Sequence, residues 1–213
     1  MLSIIQAAGW PIWPLILCSV LAVAFIVERF IQLKPSRVLS PGLVDEAIAV
    51  SQNAVPPAEM VRQMEQHSVL GQVLASGWQA VHNNPRCSVT EMRSTMQGAG
   101  RSAALQLERY LPALATIASA APLLGLFGTV IGMIEIFGSQ APSGSLSGGN
   151  PAQLAHGISI ALYNTAFGLI IAVPALIFWR YFRGRVDAYV LEMELASERF
   201  ARHLEPLCTG GAQ

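Results

Sequence analysis

The sequence predicts an all-α integral membrane protein. It has three transmembrane helices with long cytoplasmic helical extensions, an N-terminus outside and a C-terminus in the cytoplasm. Three observations predict it. Charged residues make up only 12% of the 213-residue chain, against 53% hydrophobic, whereas soluble domains carry about 25% charge. Residues 1–27, 110–134 and 136–179 contain no Lys, Arg, Asp or Glu, and about 20 apolar residues suffice to cross a bilayer. Of the 13 Lys and Arg, eight lie between the first and second windows and five follow the third. The positive-inside rule assigns both blocks to the cytoplasm.

The elements follow in order. Residues 1–33 hold an N-terminal periplasmic segment and transmembrane helix 1, without the basic start and cleavage site of a signal peptide. Trp10 and Trp13 suit the outer interface, and Glu28 with Arg29 reads as a snorkelling pair at the cytoplasmic interface. Residues 34–109 form a cytoplasmic loop of short helices. In "SPGLVDEAIAV", Ser40 takes a cap position and Pro41 the first helical position. "PPAEMVRQMEQ" begins similarly. "SVLGQVLASGWQAVHNN" ends in residues that stop helices, and Ser88 to Glu91, "SVTE", fits a capping box. With no proline before Pro112, one long helix is expected from about Val89 into the second span. Residues 110–138 are transmembrane helix 2 and 139–155 a flexible periplasmic loop. Residues 156–180 are transmembrane helix 3, kinked at Pro174, and 181–213 a cytoplasmic C-terminal helix and tail. Tyr110, Trp179 and Tyr181 mark the inner interface.

The stretch "APLLGLFGTVIGM" is unusual for a helix, because a mid-helix glycine costs about 1 kcal/mol relative to alanine in water. In lipid, small residues drive association by letting backbones approach. At 100° per residue, Gly125, Gly128, Thr129 and Gly132 share an arc of about 120° with Ala118, Ala121 and Pro122. On the third span Gly157, Ala161, Thr165, Gly168, Ala172 and Ala175 share about 80°, with Asn164 at the edge. Two uses of these faces stay open: tight packing between the spans, and lining of a cavity shared by several subunits. Thr129 and Thr165 both fall in the outer half of the membrane. Taken singly, each is expected to bond its own helix's carbonyls.

Other chemistry finds no support. Cys18, Cys87 and Cys208 have no metal spacing and read as free thiols standing alone. His67, His82 and His203 are not at metal spacings either. Ser143, Ser145 and Ser147 form no nucleophile elbow. No cofactor is expected, no basic stripe suggests nucleic acid, and no paired acids, Ser/His pair or zinc ligands lie within the spans. Glu135 reads as a solvated charge at the outer end of span two, and His156 follows the outer loop. The chain is not expected to be an enzyme.

Two stretches carry a specific likeness. "ERYLPALATIASAAPLLGLFGTVIGMIEIF", Glu108 to Phe137, and "GISIALYNTAFGLIIAVPA", Gly157 to Ala175, resemble the ExbB/TolQ/MotA proton-channel family, its ExbB branch most closely. The resemblance implies a homopentamer in the bacterial inner membrane whose second and third spans surround single helices of an ExbD-like partner. An aspartate on that partner would titrate as protons enter, and the motion would energise a TonB-like transducer for outer-membrane transport. The family's pore threonines match Thr129 and Thr165, and its proline matches Pro174. The chain departs at Ile160, where many members carry glutamate. Asn164 could supply the lost polarity. A TolQ-like subunit of an envelope-constriction system is the alternative within the family. A non-conducting scaffold is the alternative outside it.

Overall fold

A computed structural model describes residues 10–52, 56–84, 87–139 and 151–209. Eight helices occupy them, and no strand is present among the described residues. They are α1 Ile12–Gln32, α2 Pro35–Val38, α3 Leu43–Val50, α4 Ala58–His67, α5 Val69–Asn83, α6 Val89–Glu108, α7 Leu111–Ser139 and α8 Pro151–Thr209. The chain divides into two compact units. The first comprises Met1–Glu28 and Tyr110–Tyr181, and the second Arg29–Arg109 and Phe182–Gln213.

Three stretches are long and apolar enough to cross a membrane: Ile12–Gln32, Val89–Gly138 and Ala161–Pro206. Only 17%, 22% and 28% of their most apolar windows are buried within the chain. Such large bare apolar surface is uncommon on soluble monomers, so this is a membrane protein. Leu17, Val20 and Val23 on α1 are exposed, as are Leu123, Leu126 and Ile134 on α7 and Ile170, Val173 and Ile177 on α8. Leu15 of α1 meets Ala121 of α7 and Ala172 of α8, with Leu124, Phe167 and Ile171 around them.

The second unit is built as an aqueous protein is. Along α8, Phe182, Val186, Tyr189, Met193, Phe200 and Leu204 are buried, at the three- and four-residue spacing of one helical face. Trp78 of α5 meets Phe200 edge-on at 5.3 Å. Gly77 leaves room for Met96 Sδ and Leu204 Cδ1, which an added Cβ would meet at 2.9 and 3.3 Å. Helices α5 and α6 start at side-chain caps. Ser68 Oγ accepts from the Gly71 amide at 3.0 Å, and Ser88 Oγ from the Glu91 amide at 3.1 Å.

Two local expectations are corrected. Helix α3 starts at Leu43 with Gly42 as its N-cap, not at Ser40 and Pro41. Gly42 has φ 81° and ψ −5°, and the Leu43 amide donates to Ser40 O at 3.3 Å. Pro then Gly at the central positions makes this a type II turn, which places Pro41 in the turn rather than the helix. The long helix expected from Val89 into the second span is broken. α6 stops at Glu108, and Tyr110 has a left-handed φ of 67°. A continuous helix would set the Pro112 ring against the Glu108 carbonyl and lose that hydrogen bond. The chain instead restarts, with the Leu114 amide donating to Tyr110 O at 3.0 Å. At the third span the helix starts at Pro151 and runs unbroken through Pro174 to Thr209. It thus begins inside the stretch read as a loop, whose residues 140–150 lie outside the described residues.

Candidate functional site

The small faces meet. α7 and α8 run against each other through a seam that a single methyl group would disturb. A Cβ on Gly125 would lie 2.7 Å from Asn164 O and 2.9 Å from Thr165 Cα. One on Gly128 would lie 2.8–2.9 Å from Nδ2, Cβ and Cγ of Asn164. A Cβ on Gly132 would lie 3.3 Å from Ala161 Cβ, and one on Gly168 2.6 Å from Ala121 O. The order 121, 125, 128, 132 against 168, 165, 164, 161 is that of antiparallel helices in near backbone contact. Glycine supplies this closeness, and an 0% exposed Ala121 and 3% exposed Ala161 complete it.

Asn164 lies inside the seam rather than at its edge. It is 2% exposed and its side chain sits over Gly128. Thr129 and Thr165 are half-buried, beside the seam. The Thr129 hydroxyl donates to Leu126 O at 2.6 Å, a bond within its own helix as expected for a membrane threonine. Because Gly125 lies level with Thr165, Thr129 is displaced from it by four residues, about 6 Å along the helix. Pro174 is exposed on α8, and the side chains of Glu135, His156 and Ile160 lie outside the described residues.

Arg29 departs from the snorkelling reading. It is 3% exposed, and its guanidinium donates to Leu107 O at 2.8 Å. Leu107 is the penultimate residue of α6, where carbonyls lack helical partners and a cation is favoured by the helix dipole. Glu28 is half-buried.

Two contacts carry no sequence signal. Cys87 and Cys208, expected to stand alone, bring their sulfurs to 3.5 Å, 121 residues apart in the chain. Arg93 joins two helices by pairing with Glu198 at 3.0 Å and Glu205 at 2.7 Å. In each case the partner is fixed only once α8 packs back on α6, so spacing alone could not have found it.

Comparison with known proteins supplies the remaining context. Residues 65–195 match the family described as the MotA/TolQ/ExbB proton channel family. The biopolymer transport protein exbB1 of Vibrio cholerae is 34% identical, over 80% of this chain and 74% of that protein. A putative ExbB-like biopolymer transport protein of Synechocystis is 30% identical, over 91% of this chain and 89% of its own length. The Tol-Pal system protein TolQ of Pseudomonas aeruginosa is 40% identical over a shorter stretch, 40% of this chain and 36% of that protein.

Proposed function

The chain belongs to the MotA/TolQ/ExbB proton channel family, and on that premise we propose that it is the ExbB-like subunit of a proton-driven motor. The motor sits in the bacterial inner membrane, with the N-terminus of this chain in the periplasm and its large loop and C-terminus in the cytoplasm. Five copies surround an ExbD-like single-span partner, and proton entry through the assembly drives a TonB-like transducer serving outer-membrane transport.

The observation that carries this reading is the pairing of a tight α7–α8 seam with two threonines left beside it. The seam fixes the two spans as one rigid wall, while Thr129 and Thr165 stay half-buried at its side. Residues 110–134 and 136–179 contain no carboxylate. A group that carries protons across low dielectric must titrate, so the partner's aspartate supplies it and this chain supplies the hydroxyls it meets. The ExbB-named relatives in Vibrio and Synechocystis align with most of this chain, the TolQ protein with less than half.

The test is the native mass of the detergent-purified chain, alone and with an ExbD-like partner. A five-fold assembly that takes up the partner is expected. A monomer or dimer that ignores it would return the chain to a non-conducting scaffold.

A further inference from the structure

We propose that the second unit holds a phosphate-binding pocket at the C-terminal end of α1, suited to the headgroup of an anionic phospholipid. A cavity of about 320 Å³ opens there between α1, α2, α4, α5 and α6, within the range of about 300–1,000 Å³ that small ligands occupy. Its wall presents Arg29, Arg37 and His67, and none of its ten lining residues is Asp or Glu. Four glutamines, Gln32, Gln66, Gln72 and Gln106, supply neutral donors and acceptors that suit glycerol and phosphate oxygens.

Three features make the pocket a receptor for an anion rather than a solvated gap. Arg29 is 3% exposed and held by Leu107 O, so one cation of the wall is fixed in place without a mobile surface side chain. Arg37 and His67 have no ion-pair partner among the described residues, although Arg93, Arg183 and Arg199 in the same unit do. Ser68 and Val69, at the N-terminus of the 15-residue α5, also line the cavity. The positive end of that helix dipole adds to the same field.

Position selects the source of the phosphate. Arg29 follows Val27, the last apolar residue of the first uncharged window, by two residues. The pocket therefore begins where the hydrocarbon layer ends and the headgroups start. Basic pockets beside membrane helices are suited to anionic lipid headgroups, and each surface cation adds to that attraction. The inference is independent of the proposed transport role.

The full-length chain, purified in detergent and titrated with phosphatidylglycerol, phosphatidylcholine or inorganic phosphate, tests it by native mass spectrometry. Saturable retention of phosphatidylglycerol over phosphatidylcholine is expected, weakened at least about fivefold by Arg37→Glu and by less in His67→Gln. Arg62→Glu, an exposed cation on α4 outside the pocket, is expected to leave retention unchanged. Arg37 is exposed, so its replacement does not threaten the fold as loss of Arg29 would. Inorganic phosphate that binds without lipid, with the same sensitivity to Arg37→Glu, would support the pocket but assign it a soluble phosphate. Equal retention of the two lipids, or of phosphatidylglycerol by the chain and the Arg37→Glu variant, would overturn the proposal.

Discussion

Gly125 and Gly128 lie one turn apart on α7, yet substitution at them meets different neighbours. A methyl at Gly125 would press on the backbone of Asn164 and Thr165, which belongs to a helix and cannot give locally. At Gly128 it would press on Nδ2, Cβ and Cγ of the buried Asn164 side chain, of which only the amide end can turn aside. At Gly132 it would lie 3.3 Å from Ala161 Cβ, a tight contact that a shift of a few tenths of an ångström would relieve, and at Gly98 nothing lies within 4 Å. Overpacking costs typically about 1–3 kcal/mol. Alanine at Gly125 or Gly168 is therefore expected at the upper end of that range, Gly128 close behind, Gly132 at about 1 kcal/mol or less, and Gly98 neutral or slightly stabilising. Thermal melts of the five variants in one detergent check the order. A Gly125→Ala protein as stable as Gly98→Ala would show that α7 and α8 are not in backbone contact. Asn164→Leu belongs to the same series, because the side chain fills the seam. Its loss of activity would count for conduction only if the melt were unchanged.

At the scale of elements, α8 is held against the second unit at its far end by the Cys87–Cys208 contact. The Cys208 thiol is pushed up to about 12, first by burial and then by its hydrogen bond with Cys87. An unfolded thiol ionises near about 8.5. Below that pH both states are protonated and the contact's contribution is complete. As pH rises from about 8.5 toward 12 the unfolded chain loses its proton first, and the contribution falls away. Iodoacetamide is therefore expected to modify Cys208 slowly at pH 9 in the folded chain and quickly in urea, with Cys87→Ser raising the folded rate. Equal rates in both states would mean that the end of α8 is not docked. Arg29 acts on a second element, the C-terminus of α6. Arg29→Met removes the donor to a buried carbonyl and is expected to cost about 1–3 kcal/mol, read as a lower melting temperature, whereas the exposed Arg62→Met changes little.

These elements also show what sequence could reveal. Uncharged length exposed the spans, and glycine spacing exposed the α7–α8 seam, because both are periodic properties of one helix. The capping serine at the start of α6, Ser88, was legible for the same local reason. The break at Tyr110 was harder, since Pro112 was read as lying inside a helix when its ring, acting four residues back, ended one. Arg29 looked like an interface residue until the Leu107 carbonyl, 78 positions away, gave it a buried partner. No local pattern encodes that distance, nor the meeting of Cys87 with Cys208.

For the molecule as a whole, the deciding fact is that its apolar spans hold hydroxyls and an amide but no carboxylate within residues 110–134 and 136–179. A neutral hydroxyl can order water or accept a bond from a charged group, but it does not titrate near neutral pH, and the carboxylate between these windows, Glu135, stands near the C-terminal end of α7, so on the proposed reading the proton carrier comes from the partner. The proposed motor accordingly predicts a division of labour that flux can measure. Liposomes containing this chain alone are expected to hold a proton gradient, and those containing it with an ExbD-like partner to dissipate it. Asp→Asn on the partner's helix should stop the flux. Thr165→Val in this chain should leave the melt unchanged and slow the flux, because loss of one hydrogen bond to a charged group, about 1.5–3 kcal/mol, corresponds to about tenfold or more in rate. A leak through the chain alone would place the carrier within these spans. Flux indifferent to Thr165→Val would move the path away from the α7–α8 wall, and with it the reason for leaving a threonine beside so tight a seam.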